Sequence, residues 1–521
     1  MNDVGALSGK REDRFERGMR TFGLLAGPLV AVAVFLIHPG DLAPEARRLL
    51  AILTLAIFFW ATEAIPLPAT ALLASALAIL LGVAPARQVL APYANPIIFL
   101  FIGTFLLAEA FRKYRLDRRV ASRMLGSGRF ARSRLGRILG VGAASGLMST
   151  CISNTASAAL MTPIAVGACR AGGEDGKGGS AGRLQPWTGS VLLMIAYGAS
   201  IGGIATLVGT PPNLLVAGFI EEMTGVRIGF VDWLLFGVPI ALVLFVFSIV
   251  WTTLSRRSLE ERMEMQGAPG WAAGASPASG NPDPAADAGD ESVRGLAIGA
   301  RLTMAAFGLA ALLWTLPSLT AILLGRASPL AIALHQHLPE AGVALFCATL
   351  LFVAPIEWRR RRFALSWHEG RQVNWGIILL FGGGLSLGTL ASDTGVARWV
   401  GEGLQEFGLA RTGPGLLFCA IALSIVVSEF ASNTAATTIL VPMVIAAAEV
   451  SGLDPVRPAL GVGLAATCGF IFPVSTPPNA IVFGTGLVPL RHMIRAGILL
   501  DLTALFVVWA GLLILTPILP H

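Results

Sequence analysis

Two polar tripeptides interrupt apolar sequence, Ser153-Asn154-Thr155 and Ser432-Asn433-Thr434. Each is followed downstream by a second repeated motif, Thr210-Pro211-Pro212-Asn213 and Thr476-Pro477-Pro478-Asn479. Ser, Asn and Thr supply neutral donors and acceptors, and Asn alone offers two N–H groups and a carbonyl oxygen. Such groups suit a carboxylate or a sodium ion equally. Where the chain turns between two half-helices, one N-terminus presents unpaired N–H groups and partial positive charge to an anion. The preceding half-helix ends in free carbonyl oxygens, which are hard ligands for Na+. Paired prolines remove two backbone donors and break the helix, freeing further carbonyls from Gly209 and Ser475 onward. None of the four motifs contains Lys, Arg or His. An anion of charge two or more bound there needs helix dipoles and co-bound cations, so its binding would depend on Na+. A single Ser-Asn-Thr reads more simply as interhelical hydrogen-bond glue; duplication in the same order as Thr-Pro-Pro-Asn outweighs that reading and points to a transporter.

The elements that must position these motifs lie in a bilayer. The 521 residues are 55% hydrophobic and 13% charged, with mean hydropathy +0.72, the composition of a polytopic membrane protein. Runs long enough to cross about 30 Å of hydrocarbon lie near 22–38, 49–67, 69–85, 96–111, 188–220, 230–254, 300–324, 340–355, 375–392, 457–487 and 498–517. The expected fold is all-α, with about eleven transmembrane helices plus two re-entrant hairpins, 135–170 and 413–450, whose centres carry the Ser-Asn-Thr motifs. With the N-terminus cytoplasmic, the inner segments hold most of the 38 Lys and Arg, as the positive-inside rule requires. That puts the C-terminus outside and sends one hairpin in from each face. The net charge of +7 then reflects loop topology and anionic-lipid contact, with no reason to invoke nucleic acid.

Residues 256–297 read as a cytoplasmic linker, rich in Gly, Ala, Pro, Ser and Asp at 266–292. Before it come scaffold helices (1–95) and a first repeat (96–255) with hairpin 135–170 and broken helix 188–220. After it come further scaffold helices (298–365) and a second repeat (366–521) with hairpin 413–450 and broken helix 457–487. The segment at 97–110 aligns with 377–390, Phe101 over Phe381 and Gly103 over Gly383, at nearly the offset that relates the two Ser-Asn-Thr motifs. The Thr-Pro-Pro-Asn offset is shorter because the first half carries an extra polar loop near 171–187. Opposite hairpin orientations make this an inverted repeat, as in secondary transporters with a midplane site between the halves. An intramembrane enzyme would need a nucleophile and base or metal ligands, and the interior offers neither.

Other residues have plainer readings. The first twenty residues precede an uncleaved first span. Residues 112–137 suit an amphipathic helix on the inner surface, with a counterpart near 395–410. Glu429 lies one helical turn before Ser432, where it would brace the tip more readily than carry a proton; Asp501, Glu63 and Glu109 also fall in or beside apolar runs. Glu63 and Glu109 suit helix pairing. His335 and His337 read as part of a solvated outer loop, Arg359 to Arg362 as a topology anchor, and Gly382, Gly383 and Gly384 as close-packing glycines. The five cysteines show no ligand spacing.

The segments CISNTASAALMTPIA, SEFASNTAATTILVPM, TLVGTPPNLLVAG and PVSTPPNAIVFGTG resemble the signatures of the divalent anion/sodium symporters, INDY-type carriers of di- and tricarboxylates and sulfate. The likeness of motif order and topology runs over nearly the whole chain. It implies that Ser153, Asn154, Thr155, Ser432, Asn433 and Thr434 bind substrate carboxylates, with Thr210, Thr476 and Pro477 nearby. It implies a first sodium site at Ser149, Ser153, Asn154 and Gly209 and a second at Ser428, Ala431, Asn433 and Ser475. Position 475 is Ser where the family pattern leads one to expect a smaller residue offering its carbonyl. The resemblance further implies a homodimer working as an elevator, with co-transported Na+ and a small dicarboxylate such as succinate, malate or fumarate. A sodium-independent exchanger or a sulfate or citrate carrier would share the fold.

Overall fold

The computed structural model describes residues 2–37, 42–116, 119, 133–171, 187–265, 293–325, 328–406 and 412–516. The linker stretch 266–292, more than half of the surface helix expected at 112–137 and most of the loop near 171–187 lie outside the described residues. The described chain is almost wholly helical. Nine of its helices are long and apolar enough to cross a membrane, or ten if the bent pair Pro329–His337 and Glu340–Val353, 59° apart, counts as one span. Three of the eleven expected spans fall short of that measure, 340–355 meets it only within the bent pair, and the nine include both arms of the second expected hairpin, Gly413–Phe430 and Asn433–Val450. Pro44–Thr62 carries Glu45, Arg47 and Arg48 in its first turns, Leu67–Leu80 has only 14 residues and Val456–Ala466 only 11.

Both expected hairpins are helix-turn-helix units. The first joins Arg134–Ser149 to Asn154–Ala171, and the second joins Gly413–Phe430 to Asn433–Val450. Their arms run to 16 and 18 residues in the first and 18 each in the second, longer than the half-helices the turn chemistry requires. Both expected broken helices are also in two pieces: Thr188–Ala205 with Pro211–Thr224, and Val456–Ala466 with Pro477–Gly484. In each, the break ends where Thr-Pro-Pro starts the next helix, the position at which proline's missing N–H costs nothing.

Glycine decides how closely these pieces approach. A Cβ on Gly202 would lie 2.1 Å from the Gly146 carbonyl oxygen, and one on Gly198 2.5 Å from that of Gly142. The first hairpin therefore lies backbone to backbone on the first broken helix, an approach only glycine allows. Gly382, Gly383 and Gly384 act similarly, abutting the Tyr93 ring, Ala71 and the Thr438 methyl group.

The halves meet around a pair that the internal alignment had already matched. Phe101 and Phe381 touch edge to face, with ring centroids 5.4 Å apart. Positions paired by the internal alignment are therefore in direct contact. On each side of it, the helix after the Pro-Pro break packs against the post-tip arm of the opposite half: Pro211–Thr224 against Asn433–Val450, and Pro477–Gly484 against Asn154–Ala171. Tyr197, fully buried, adds a polar tie, its hydroxyl 3.0 Å from the Phe470 carbonyl and 3.3 Å from that of Met493.

Several peripheral expectations change. His335 and His337 occupy the exposed last turn of the helix Pro329–His337, where a solvated loop was expected. Arg359 to Arg361 form a tight turn between two short antiparallel strands, Pro355–Glu357 and Arg362–Phe363. Glu63 sits exposed at a helix C-terminus with a left-handed φ of 46°, and Glu109 pairs with Arg112 one turn along its own helix at 2.7 Å, so among the described residues neither ties two helices together. The helix Val396–Glu406 does appear where a counterpart surface helix was expected, with Val396 and Ala397 buried and Arg398, Trp399 and Glu402 exposed.

Candidate functional site

At the first tip, the buried Ser149 hydroxyl donates to Asn154 Oδ1 at 2.6 Å. This turns the Asn154 carboxamide back over the broken helix, where Gly203 leaves room: a Cβ there would lie 2.5 Å from Asn154 Oδ1. Thr206 Oγ1 donates to the Thr150 carbonyl at 2.9 Å, tying the break to the tip. Asn213 Nδ2 then donates to the Gly203 and Thr206 carbonyls, both at 2.8 Å, and the Gly209 N–H returns to the Thr206 carbonyl. One turn further up, Ser145 Oγ donates to the Ile195 carbonyl at 2.8 Å.

The second tip repeats this network. The buried Ser428 hydroxyl faces Asn433 Oδ1 at 2.8 Å and the Ala466 carbonyl at 2.5 Å. Asn479 Nδ2 donates to the Gly469 and Phe472 carbonyls, both at 3.0 Å. The Ser475 N–H returns to the Phe472 carbonyl, as Gly209 does to Thr206. Ser424 Oγ donates to the Val462 carbonyl at 2.8 Å. Each of these first-half bonds thus has its counterpart, apart from the Thr206 link, whose position in the second half is Phe472.

The second half adds one group. Glu429, 3% exposed, accepts hydrogen bonds from the Ile471 N–H at 3.0 Å and the Phe472 N–H at 3.2 Å, and from the Ser475 hydroxyl. Its carboxylate therefore braces the 471–475 turn. This accounts for serine at position 475: the hydroxyl is engaged by Glu429, and the backbone keeps the path of its glycine counterpart. Asp501, buried on the helix Leu490–Leu515, lies against the Glu429 carboxyl.

Exposure divides the candidate residues into two sets. Ser149, Gly209, Ser428 and Ser475 are buried, while Ser153, Thr155 and Pro477 are exposed and Asn154, Ala431, Ser432, Asn433 and Thr434 lie between. Thr210 and Thr476 are buried at the starts of the helices after the breaks. The two asparagines stand at the boundary of the sets, one face on buried serine and the other toward open space. A cation is best held by the desolvated oxygens and an anion by the open N-termini at Asn154 and Asn433.

A profile of the family described as "Sodium:sulfate symporter transmembrane region" matches residues 20–516. The chain belongs to the sodium:sulfate symporter family. Among its relatives, the protein named "Sodium-dependent dicarboxylate transporter SdcS" of Staphylococcus saprophyticus is 30% identical over 525 residues, spanning 98% of this chain and 94% of the relative. Its namesake in Staphylococcus aureus (strain bovine RF122 / ET3-1) is 31% identical over 503 residues, spanning 96% and 91%. Two solved structures share the fold at low identity. The YdaH transporter of Alcanivorax borkumensis aligns with a TM-score of 0.52 at 16% identity, over 81% of this chain and 85% of its own. MtrF of Neisseria gonorrhoeae aligns at 0.50 and 13%, over 93% and 96%. As a member of the sodium:sulfate symporter family, the chain is a multi-pass membrane transporter and no enzyme.

Within this symporter-family chain the four motifs form two local clusters, each a tip with its own Thr-Pro-Pro-Asn, joined by the crossed packing of the helices that follow. Sequence reasoning placed the serines, asparagines and breaks but gave no role to Asn213, Asn479 or Ser145 and Ser424. The signal for the first pair was present, since both end a repeated motif. Glu429 was singled out, and bracing is the role its three donors give it.

Proposed function

We propose that the chain is a sodium-coupled symporter of C4-dicarboxylates such as succinate, malate or fumarate. It acts in a bacterial-type inner membrane with the N-terminus in the cytoplasm and the C-terminus outside. The observation that carries this reading is the duplicated tip, with each asparagine turned by a serine five residues earlier and no basic side chain in any motif. The substrate carboxylates take the N–H groups and side chains of Ser153, Asn154, Thr155, Ser432, Asn433 and Thr434, flanked by Thr210, Thr476 and Pro477. Two sodium ions take the oxygens behind them, one at Ser149, Ser153, Asn154 and Gly209, the other at Ser428, Ala431, Asn433 and Ser475. Each asparagine serves both ligands, so the dianion is compensated only when sodium is present. That is a physical route to obligatory coupling. The names of the Staphylococcus relatives, at 30% and 31% identity over nearly the full length, support both the dicarboxylate and the sodium.

The hairpins and broken helices move together as an elevator against scaffold helices, in a homodimer. Residues 96–255 and 366–521 supply the two inverted repeats, with the hairpins opening to opposite faces. Sulfate is the second substrate to weigh, because the family description names it. Competition against labelled succinate uptake in proteoliposomes separates the two. Malate and fumarate should compete at concentrations near that of succinate, while sulfate and citrate should need roughly tenfold more, the order of discrimination a fitted polar site gives. Sulfate competing as well as malate would overturn the dicarboxylate assignment.

A further inference from the structure

Asn213 and Asn479 close the two Thr-Pro-Pro-Asn motifs, and the sodium-coupled reading above assigns them nothing. Both are fully buried. Each Nδ2 donates to two carbonyls, at 2.8 Å in the first half and 3.0 Å in the second. That double donation fixes the orientation of the amide, because a flipped group would set Oδ1 against two carbonyl oxygens. Each Oδ1 is then a buried acceptor, and neither has a hydrogen-bond partner among the described residues. Leaving a buried amide oxygen unpaired is costly. One such atom is an accident of packing; the same atom at equivalent positions of an internal repeat points to something that both halves bind.

The carbonyls these amides hold border the proposed ion ligands. A Cβ on Gly203 would touch Asn154 Oδ1, and one on Gly209 would lie 2.6 Å from the Gly203 carbonyl oxygen. A Cβ on Gly469 would lie 3.1 Å from Ser475 Cβ and 3.4 Å from Ser428 Oγ. The Pro-Pro break frees carbonyls at the end of each first half-helix, and the asparagine takes two of them back. What remains for a cation is a loop of fixed size.

We infer that Asn213 and Asn479 set the sodium affinity and ion preference of the two cation sites. Nδ2 holds the loop carbonyls at a spacing suited to a small hard cation, and Oδ1 is the acceptor satisfied when the ion is bound. The inference rests on the sodium-coupled reading, and its test separates the two. In proteoliposomes, wild type is measured first. Uptake indifferent to Na+ would remove the coupling and this inference with it.

Given sodium-dependent wild-type uptake, Asn213→Ser and Asn479→Ser, too short to reach both carbonyls, should each raise the Na+ half-saturation roughly tenfold, the scale of a lost pair of buried hydrogen bonds. The succinate KM at saturating Na+ should change by less than about twofold, and the ratio of Li+-driven to Na+-driven uptake should rise. If a variant folds but transports too slowly to measure, the Na+-dependent rise in Tm of the purified protein reads the same affinity. Wild-type Na+ dependence and ion ratio in both variants would overturn the inference. So would parallel losses for Na+ and succinate with the ion ratio unchanged, since a general packing defect acts that way.

Discussion

Replacing Asn154 or Asn433 by alanine should abolish transport in a protein that still inserts and folds. Each carboxamide accepts from a buried serine, at 2.6 Å from Ser149 and 2.8 Å from Ser428, and each begins the helix whose N-terminus faces the proposed anion. Truncation removes contacts to the ion and to the substrate at once. Two charge-assisted hydrogen bonds correspond to a fall in uptake of roughly 100-fold to 1000-fold. The halves should differ in stability. Ser428 keeps the Ala466 carbonyl as an acceptor, so Asn433→Ala strands nothing. Ser149 loses its side-chain acceptor, and Asn154→Ala should be less stable by about 1–3 kcal/mol, the cost of an unpaired buried hydroxyl. Initial uptake rates and thermal melting of the purified variants check both expectations. Wild-type uptake in either variant would sink the shared-ligand assignment.

Glu429→Ala should also eliminate transport, and here the fold should suffer with it. The carboxylate is the acceptor for two backbone N–H groups and the Ser475 hydroxyl, all within the turn that carries the second break. Losing it leaves the half-buried Ile471 N–H without its acceptor, while the Phe472 N–H keeps the Ser475 hydroxyl at 3.3 Å and that hydroxyl keeps the Glu429 main-chain carbonyl at 3.2 Å, a destabilisation of about 1–3 kcal/mol. Glu429→Gln keeps one acceptor oxygen while aiming an NH2 at a donor, so it should melt between Ala and wild type and retain part of the uptake. A Glu429→Ala protein with normal melting and normal rate would show that the brace is dispensable.

The large features of the fold were legible because they rest on local chemistry. Ser-Asn-Thr inside apolar sequence predicts a tip, Thr-Pro-Pro predicts a break, and both occur at the expected residues. The alignment of Phe101 with Phe381 carried more than it promised, since the two rings touch each other. Contacts between distant segments were harder to read. That Asn213 would clamp the Gly203 and Thr206 carbonyls follows from how a broken helix folds back on itself, which no hydropathy pattern records. His335 and His337 read as loop residues because their short helix is polar at its end and only nine residues long.

On the proposed mechanism the tips hold a dianion only together with sodium. The direct measurement is uptake of labelled succinate into proteoliposomes, comparing Na+ with K+ outside and empty with dicarboxylate-loaded interiors. Coupling free energies between linked sites give effects of roughly 5-fold to 150-fold, so inward Na+ should accelerate uptake at least about tenfold over K+ in empty vesicles. Equal uptake in the two salts, with transport appearing only when dicarboxylate is loaded inside, would contradict it and identify an exchanger.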